Sequence, residues 1–291
     1  MEVPEGSGTL QMFQATEGPQ IASPRGMRKV LITTFVSLGL AWNARAQVDA
    51  GNPLANPPDN QQAQPTNARS VSWREIIPNI GDDQKQIWTF PARLTHDNFW
   101  IPTLAVLAIT AGLVAADPWT DKPFVTTSAF HGFNSVFNAT AASAGIAAMP
   151  ATLYAVGFLR KDSYATNTAL LAGEAVADSE IVATALKTAT RRSRPEYIPE
   201  TGNLADTWFE SPGGVGLGHG SFPSGHTIAA FSVATVMARR YGKTHRWVPY
   251  VAYGLAATIG FSRVTTLAHF PSDVFVGAAL GYSISRFAVL R

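Results

Sequence analysis

The chain has 291 residues, a formal net charge of +2 and no cysteine. A charge this close to neutral argues against a protein that binds nucleic acid through bulk charge. The absence of cysteine excludes disulfides, thiol catalysis and cysteine-bound metal. With 46% hydrophobic and only 14% charged residues, the composition predicts a chain rich in buried helix or partly embedded in a membrane.

The N-terminal region has the layout of a secretory signal peptide. Met27 and two basic residues precede an apolar run over 30–42, and a small-x-small site ends at Ala46. That run is shorter than the roughly 20 residues needed to span a bilayer. We therefore expect residues 1–46 to be a leader with a signal peptide from about Met27, the alternative being an uncleaved anchor.

Residues 47–92 are predicted to connect this leader to the folded domain. Up to about residue 72 the sequence is rich in proline, asparagine and glutamine, which is typical of a flexible linker. The segment 73–91 contains enough apolar residues to dock on the domain. The remaining residues, 93–291, are predicted to form one helical domain.

Apolar stretches of helix length dominate this domain, and strand signals are sparse. The stretches lie at about 99–116, 134–159, 165–190, 225–241, 247–262 and 272–290. The pattern predicts an all-α fold, a bundle of about six helices. A long glycine-rich loop, 195–222, separates the third stretch from the fourth, and such a loop is unusual in a compact domain unless it is functional.

The first of three polar islands is LKTATRRSRP, residues 186–195. Lys187, Arg191 and Arg194 are spaced at i, i+4 and i+7, which predicts that they project from one face of a helix that Pro195 ends. Basic residues also favour helix C-termini through the dipole. Four cations in so short a stretch exceed what capping requires, and they favour a bound anion.

The second island is GSFPSGHTIAAF, residues 220–231, at the start of the fourth apolar stretch. Ser224 suits the N-cap of a helix, and Gly225 lets a ligand approach the backbone closely. The first amides of a helix form a natural anion site. By itself, the stretch fits an anion site with a functional His226 as well as it fits a capped helix with an incidental histidine.

The third island is FSRVTTLAHFPSDVFVG, residues 261–277, in which Pro271 marks the start of the last helix. His269 and Asp273 are four residues apart. A carboxylate that accepts the ring N–H of a histidine fixes its tautomer and leaves the other nitrogen as a nucleophile. Arg263 adds another guanidinium to this island.

The three islands together form an ordered pattern. Lys187 is followed after six residues by Arg194-Pro195, then come Pro223-Ser224-Gly225-His226, then Ser262-Arg263, His269 and Asp273. This pattern resembles the type 2 phosphatidic acid phosphatase superfamily, which includes bacterial acid phosphatases, lipid phosphatases and vanadium haloperoxidases. The resemblance covers about residues 93–291 and implies an active site at one end of the helical bundle, between the loops that carry the motifs.

The resemblance also implies which residues bind phosphate. Lys187, Arg194 and Arg263 would bind the phosphate oxygens as a multi-donor clamp. Ser224 and the amides near Gly225 would complete the cradle. These cations would do the electrostatic work of a metal ion, so neither a metal nor a cofactor is expected.

The chemical step is implied by the same resemblance. His269 would attack phosphorus and form a phosphohistidine, with Asp273 orienting its ring. His226 would protonate the leaving alkoxide and then help to activate water. Arg191 and Arg192 occupy variable positions of the first motif, and His219 lies in the glycine-rich loop, so we expect structural roles for these three residues.

The expected function is therefore a metal-independent phosphatase for phosphate monoesters, which include lipid phosphates, lipid pyrophosphates and soluble phosphoesters. The alternatives are a vanadate-dependent haloperoxidase that uses the same anion site, and an inactive, membrane-associated anion-binding scaffold. Loops around 118–133 and 197–219 would choose the substrate. Two residues depart from related sequences: Glu196 stands where the superfamily usually has an aromatic residue, and Phe222 stands where class A acid phosphatases usually have tyrosine.

Signals for the location of the protein conflict. Residues 99–116 carry no charge, and the basic loops 159–161 and 239–246 would lie on one side of a bilayer. The third stretch, however, contains Glu174, Asp178 and Glu180, which are costly in lipid unless they are solvated, form salt bridges or pair with a site cation. We expect an exported protein that is periplasmic or has its active site facing the periplasm, with an integral multi-pass inner-membrane protein as the alternative.

Overall fold

The computed structural model describes residues 69, 71–93, 99–199, 202–210, 218 and 220–291. The predicted leader, almost all of the predicted linker and His219 lie outside these residues. All regular secondary structure in the described part of the chain is helical, which confirms the all-α class.

Apart from the long segment 191–224 between α6 and α7, the helices follow one another with short connections. They are α1 Ile76–Thr89, α2 Trp100–Thr120, α3 Lys122–Thr126, α4 His131–Val136, α5 Ala139–Arg160, α6 Ser163–Thr190, α7 Gly225–Tyr241, α8 Val248–Thr265 and α9 Pro271–Ser283. Short 3₁₀ turns lie at Phe90–Arg93 and Pro195–Tyr197, and a π-helical segment, Ile284–Val289, continues α9. The six predicted stretches correspond to α2 and α5–α9.

The predicted helix over 134–159 begins later than expected. Asn138 has an extended backbone, and its side chain accepts a hydrogen bond from the Ala141 amide, so it caps α5 at Ala139. The preceding residues form the separate short helix α4. A polar residue that competes for backbone amides therefore divides what hydrophobicity alone presents as one helix.

Helix α7 is the centre of the bundle and packs against α6, α8 and α9. Ile228 and Val236 on α7 are fully enclosed. Gly277 and Gly281 on α9 allow the closest approach, since a Cβ on Gly281 would lie 2.3 Å from the Ile228 carbonyl oxygen. This central packing fixes the start of α7 against the start of α9, where the second and third motifs lie.

Helix α1 docks on α6 through buried polar contacts. Arg69 contacts Asp83 at 2.6 Å and Glu174 at 3.2 Å, and Gln84 Nε2 donates to Asp178 Oδ1 at 2.9 Å. Glu174 and Asp178 are buried rather than solvated: Arg69, ahead of α1, pairs with Glu174, and Gln84 of α1 bonds to Asp178. Two acidic residues of the third apolar stretch, Glu174 and Asp178, thus hold Arg69 and α1 against α6.

Two helical segments in the described residues are long and apolar enough to cross a membrane. Trp100–Thr126 has a mean hydropathy of 1.7 with 6% of its window buried, and Ala139–Arg160 has 1.5 with 17% buried. Large apolar side chains such as Leu104, Leu107 and Phe158 are exposed on them. The exposed apolar area on these helices is larger than the area that singly scattered hydrophobic residues expose on a soluble domain.

Candidate active site

The three motifs meet where α6 ends, α7 begins and α8 turns into α9. Their backbones are joined directly: the Ser221 amide donates to the Arg192 carbonyl at 2.7 Å, and the Ser224 amide donates to the Asp273 carbonyl at 3.1 Å. The structure therefore brings all the motif residues to one end of the bundle, as the resemblance implies.

The i, i+4, i+7 spacing predicts a helix that continues through the first motif to Pro195, but the structure shows that the helix ends earlier. Helix α6 ends at Thr190, and Arg191 closes it in the left-handed conformation with φ 45°. Arg194 follows in extended chain with φ −84° and ψ 148°. The prediction that Lys187, Arg191 and Arg194 share one helical face was wrong, because the left-handed residue redirects the chain.

Three cations of the motifs nevertheless lie close enough to repel one another. Burial lowers the pKa of Lys187, and the charge of Arg194 lowers it further. Burial and Arg194 lower the pKa of Arg263 in the same way. Arg263 is only 2% exposed, and its Nε and Nη2 atoms contact Ser262 Oγ at 3.1 and 2.9 Å. A bound anion would relieve this repulsion.

Arg194 has a carboxylate neighbour. Its Nη1 atom lies 3.3 Å from Oε1 of Glu196, and both side chains are partly exposed. Glu196 is the residue that departs from the usual aromatic residue of the superfamily. An exposed pair of this kind is weak, so an incoming phosphate can displace the carboxylate at small cost.

Helix α7 begins at Gly225, and Ser224 is its N-cap, as predicted. The Ser224 hydroxyl makes no backbone cap and accepts from Thr227 Oγ1 at 2.8 Å. The peptide bond before Pro223 is cis. A Cβ on Gly225 would lie 3.3 Å from Lys187 Nζ, so glycine leaves room for the lysine above the helix start.

His226 lies beside α5. Its Nε2 atom is 2.9 Å from Ser143 Oγ and 3.2 Å from the Ala139 carbonyl oxygen. Burial and the charge of Arg263 lower the pKa of His226 to about 4. The imidazole is therefore neutral at physiological pH in a site that holds no anion.

The ring of His269 is held in one orientation by a backbone carbonyl. Its Nδ1 atom lies 2.7 Å from the Ser221 carbonyl oxygen, which can only accept, so Nδ1 carries the proton. Burial lowers the pKa of His269, although Asp273 opposes this effect. The lone pair of a neutral ring with this tautomer is on Nε2, which is the atom left to act as a nucleophile.

Asp273 is fully buried and does not bond to His269 directly. Its Oδ2 atom is 3.7 Å from His269 Nδ1, beyond hydrogen-bond distance. It accepts from Arg192 Nη1 at 2.7 Å, from the Phe270 amide at 2.9 Å and from the Ser221 hydroxyl. Burial alone would raise the pKa of Asp273, but the interaction with His269 and the charge of Arg192 outweigh it, so the pKa lies below its ordinary value.

Sequence reasoning missed two of these residues. Ser221 lies inside the glycine–serine stretch and has no spacing that marks it, although its carbonyl orients His269. Arg192 occupies a variable position of the first motif, yet it is 1% exposed and bonds to Asp273. The only available signal was its place in a run of arginines, which does not separate a buried arginine from a phosphate-binding one.

An apolar groove of about 900 Å³ leads away from the site. Lys187, Gly225 and His226 line its inner end, and Trp73 and Tyr154 line its far end. Trp73 Nε1 donates to the Tyr154 hydroxyl at 2.7 Å. Glu180 also lines the groove, and burial raises the pKa of its carboxyl while the charge of Lys187 opposes this.

Across the part of the chain that the structure describes, no group of three or more histidine, cysteine, aspartate or glutamate side chains is arranged to hold a metal ion.

Comparison with known proteins agrees with this geometry. The PAP2 superfamily model matches residues 168–290, a segment that contains every motif residue. Lipid A 1-phosphatase of Porphyromonas gingivalis is 41% identical over 71 residues, which cover 24% of this chain and 16% of that protein. Lipid A 1-phosphatase of Rhizobium etli is 37% identical over 109 residues, covering 35% and 41%. The chain thus matches less than half the length of either relative.

A solved structure with the same helical class is also similar. It is the transmembrane PAP2 type phosphatidylglycerolphosphate phosphatase from Bacillus subtilis, at 21% identity and a TM-score of 0.37, covering 74% of this chain and 92% of that one.

Proposed function

We propose that this protein is a phosphatase that hydrolyses lipid phosphate monoesters through a phosphohistidine on His269. The observation that carries the proposal is the fixed tautomer of His269. Its Nδ1 proton is bound by the Ser221 carbonyl at 2.7 Å, which leaves the lone pair on Nε2, and the charges of Lys187 and Arg194 act on the ring. A neutral nucleophile next to a cluster of cations is the arrangement that phosphoryl transfer requires.

In the first half of the reaction, the Nε2 lone pair attacks phosphorus and the bond from phosphorus to the ester oxygen breaks. The cations neutralise the charge that develops on the phosphate oxygens. His226 gives its proton to the leaving oxygen. Because burial and Arg263 lower the pKa of His226 to about 4, the negative charge of the bound phosphate is needed to raise that pKa and protonate the ring.

In the second half, water attacks the phosphohistidine and the P–N bond breaks. His226, now neutral, accepts a proton from the water as it attacks. Inorganic phosphate is released, and His269 returns with its Nδ1 proton in place. This cycle needs no metal ion, since Lys187, Arg194 and Arg263 carry the charge that a metal would otherwise supply.

The groove favours a lipid as the leaving group. It is apolar, it begins at His226, and its volume of about 900 Å³ is far larger than a phosphate ion needs. Burial of hydrocarbon in it would contribute about 25 cal/mol per Å². The relatives that match include lipid A 1-phosphatases, which by name act on a lipid phosphate.

The exposed apolar helices support a membrane location, with α2 and α5 in contact with lipid. Their windows are only 6% and 17% buried. We keep the prediction that the active site faces the periplasm, because the signal-peptide layout at Met27 favours export. Retention of the protein in membranes after carbonate washing, with release only by detergent, is the expected result, and release by carbonate would contradict a spanning arrangement.

The proposed chemistry is tested on the detergent-solubilised protein with radiolabelled phosphatidic acid and p-nitrophenyl phosphate. Wild-type protein is expected to turn over both substrates and, after an alkaline quench, to retain label as an acid-labile phosphoprotein. His269→Ala is expected to abolish both turnover and label. An active His269→Ala variant, or turnover that EDTA abolishes reversibly, would overturn the mechanism.

Vanadate provides a second measurement on the same site. It adopts the five-coordinate geometry of the transition state, so it should inhibit more strongly than inorganic phosphate. Halide oxidation in the presence of vanadate would instead identify the haloperoxidase alternative.

A further inference from the structure

The Arg192 guanidinium donates hydrogen bonds to several side chains that lie behind the active site. Its Nε donates to Thr207 Oγ1 at 3.1 Å, and Nη2 donates to Asp117 Oδ2 at 2.7 Å. Nη1 donates to both Ser272 Oγ and Asp273 Oδ1 at 2.7 Å. One buried guanidinium thus links α2, the loop after α6 and the first turn of α9.

The planar group is also held between two rings. Its central carbon lies 3.9 Å from the Phe270 ring centroid and 4.6 Å from that of Trp208. Arginine suits such a place, because it combines a flat stacking surface with donors in a fixed fork. Lysine offers neither property.

Asp117 connects this cluster to the first turn of α9 a second time. It accepts from the Ser272 hydroxyl at 2.5 Å and from the Ser272 amide at 3.2 Å. Asp121, one turn further along, is also fully buried, and its charge interacts with Asp117, Asp273 and Arg192. Asp117 lies outside the segment 168–290 that matches the superfamily model.

Two routes lead from Arg192 to His269. Through its side chain, Arg192 binds Asp273, and Asp273 accepts from the Ser221 hydroxyl. Through its backbone, the Arg192 carbonyl accepts from the Ser221 amide at 2.7 Å. Both routes end on Ser221, whose carbonyl binds the Nδ1 proton of His269 at 2.7 Å.

We infer that Arg192 and Asp117 are positioning residues for the nucleophile: they hold Asp273 and Ser221 so that His269 presents an unprotonated Nε2 to phosphorus. The inference rests on the proposed phosphatase function and adds residues that act through Asp273 and Ser221 without touching the substrate.

The charge of Arg192 distinguishes this role from a purely structural one. A buried ion pair is weak evidence for stability, since apolar side chains of similar volume often serve as well. Lysine lacks the fork that reaches Asp273, Ser272 and Asp117 together, so in Arg192→Lys the charge of Asp273 would be less well compensated and would act more strongly on His269. That charge favours protonation of His269 and removes its nucleophilic form at low pH.

The experiment compares Arg192→Lys and Asp117→Asn with wild type and His269→Ala, using p-nitrophenyl phosphate and the full-length protein in detergent. For Arg192→Lys we expect kcat to fall by about 10- to 100-fold, which is the loss typical for residues that hydrogen-bond to metal ligands and orient them. KM should change little, because Lys187, Arg194 and Arg263 are untouched. The acid limb of kcat/KM should move to higher pH.

Asp117→Asn should lower kcat in the same direction, and the double variant should be no worse than the more damaging single variant, because both act through one network. Arg240→Lys is the matched control. Arg240 also stacks on a ring, at 4.0 Å from Tyr164, and donates to Thr168 Oγ1 at 3.0 Å, but it lies at the far end of α7. Its kinetics should equal those of wild type.

Three outcomes separate the possibilities. Wild-type kcat and pH profile in Arg192→Lys would overturn the inference, and so would a fall in kcat with an unmoved acid limb. If Arg192→Lys does not fold, Thr207→Val, which removes only the acceptor of Arg192 Nε, takes its place under the same criteria. A wild-type protein that cleaves no phosphate ester would contradict the proposed function instead.

Discussion

With its pKa lowered to about 4, His226 is neutral at physiological pH, and in the proposed mechanism it must carry a proton when the leaving group departs. Its Nε2 atom contacts Ser143 and the Ala139 carbonyl, and burial together with Arg263 lowers its pKa to about 4. These groups place it at the mouth of the groove, where the ester oxygen would leave. Its role depends on how strongly the leaving group needs a proton.

His226→Ala is therefore expected to affect substrates unequally. An alkyl phosphate releases a strongly basic alkoxide, and its rate should fall by about 100- to 10,000-fold, the usual contribution of a general acid. p-Nitrophenyl phosphate releases a stable phenolate, and its rate should fall much less. Parallel measurements of kcat on the two substrates test this, and equal losses would remove His226 from the role of acid.

The lowered pKa of His226 also predicts how stability depends on pH. Between pH 6.5, the ordinary value, and about 4, the unfolded chain binds a proton that the folded site resists. The free energy of unfolding should therefore fall as the pH drops through this window. The melting temperature of wild type should decline more steeply there than that of His226→Gln, and parallel curves would contradict the lowered pKa.

At the scale of single residues, the motif residues could be found from the sequence. The buried residues that contact them, Asp117 and Arg192, could not. Lys187, His226, His269 and Asp273 stand at spacings that a chemical argument can use. Asp117 and Arg192 are distant in sequence, and only the packing of α2 against α9 brings them together. Contacts of this kind depend on tertiary structure and leave no local pattern.

Helices α7 and α9 pack so closely that two positions of α9 have no room for a side chain larger than that of glycine. A Cβ on Gly281 would lie 2.3 Å from the Ile228 carbonyl oxygen, and one on Gly277 would lie 2.9 Å from the Ser224 carbonyl oxygen. Because α7 and α9 carry the second and third motifs, their separation sets the distance from His226 to His269.

Gly281→Ala is expected to destabilise the protein, although alanine is the better helix former by about 1 kcal/mol. Overpacking costs typically about 1–3 kcal/mol, and here the obstacle is backbone. Gly254→Ala in α8 is the control, since a Cβ there meets nothing within 4 Å. Thermal unfolding should show a lower melting temperature for Gly281→Ala alone, and a rise in both variants would contradict the packing.

Hydrophobicity was enough to predict which stretches form the long helices, but it did not predict several of the residues at which helices begin or end. The six apolar stretches correspond to α2 and α5–α9. Helix α6 ends five residues before Pro195, because Arg191 takes a left-handed conformation that no residue in the stretch announces. Asn138, in contrast, is a common N-cap residue and could have been used to begin α5 at Ala139.

In the molecule as a whole, the groove runs along α5. Ser143, which contacts His226, and Tyr154 both line the groove and lie on this helix, and at about 1.5 Å per residue they are roughly 16 Å apart. Trp73 lines the groove beside Tyr154 and donates to its hydroxyl at 2.7 Å, with the two rings 5.5 Å apart. In the proposed enzyme, a hydrocarbon chain that enters beside His226 would reach this pair of rings.

Trp73→Ala should therefore shift the preferred acyl-chain length of the substrate upward. The measurement is kcat/KM for a series of saturated phosphatidic acids of increasing chain length, presented at a constant mole fraction in detergent micelles. Trp88→Ala is the matched control, because Trp88 is an exposed tryptophan of α1 that bonds to Gln84 and does not line the groove. Identical length profiles for wild type and Trp73→Ala would show that the rings set no limit.

The groove and the motifs draw on different parts of the chain. All the motif residues lie within 168–290, whereas Trp73 and Tyr154, which line the groove, lie outside that segment. In the proposed enzyme, the bond that is cut and the length of tail that is admitted would thus be specified separately. Exchanging the region around these two rings between related enzymes would retune the tail length while the same histidine performs the cleavage.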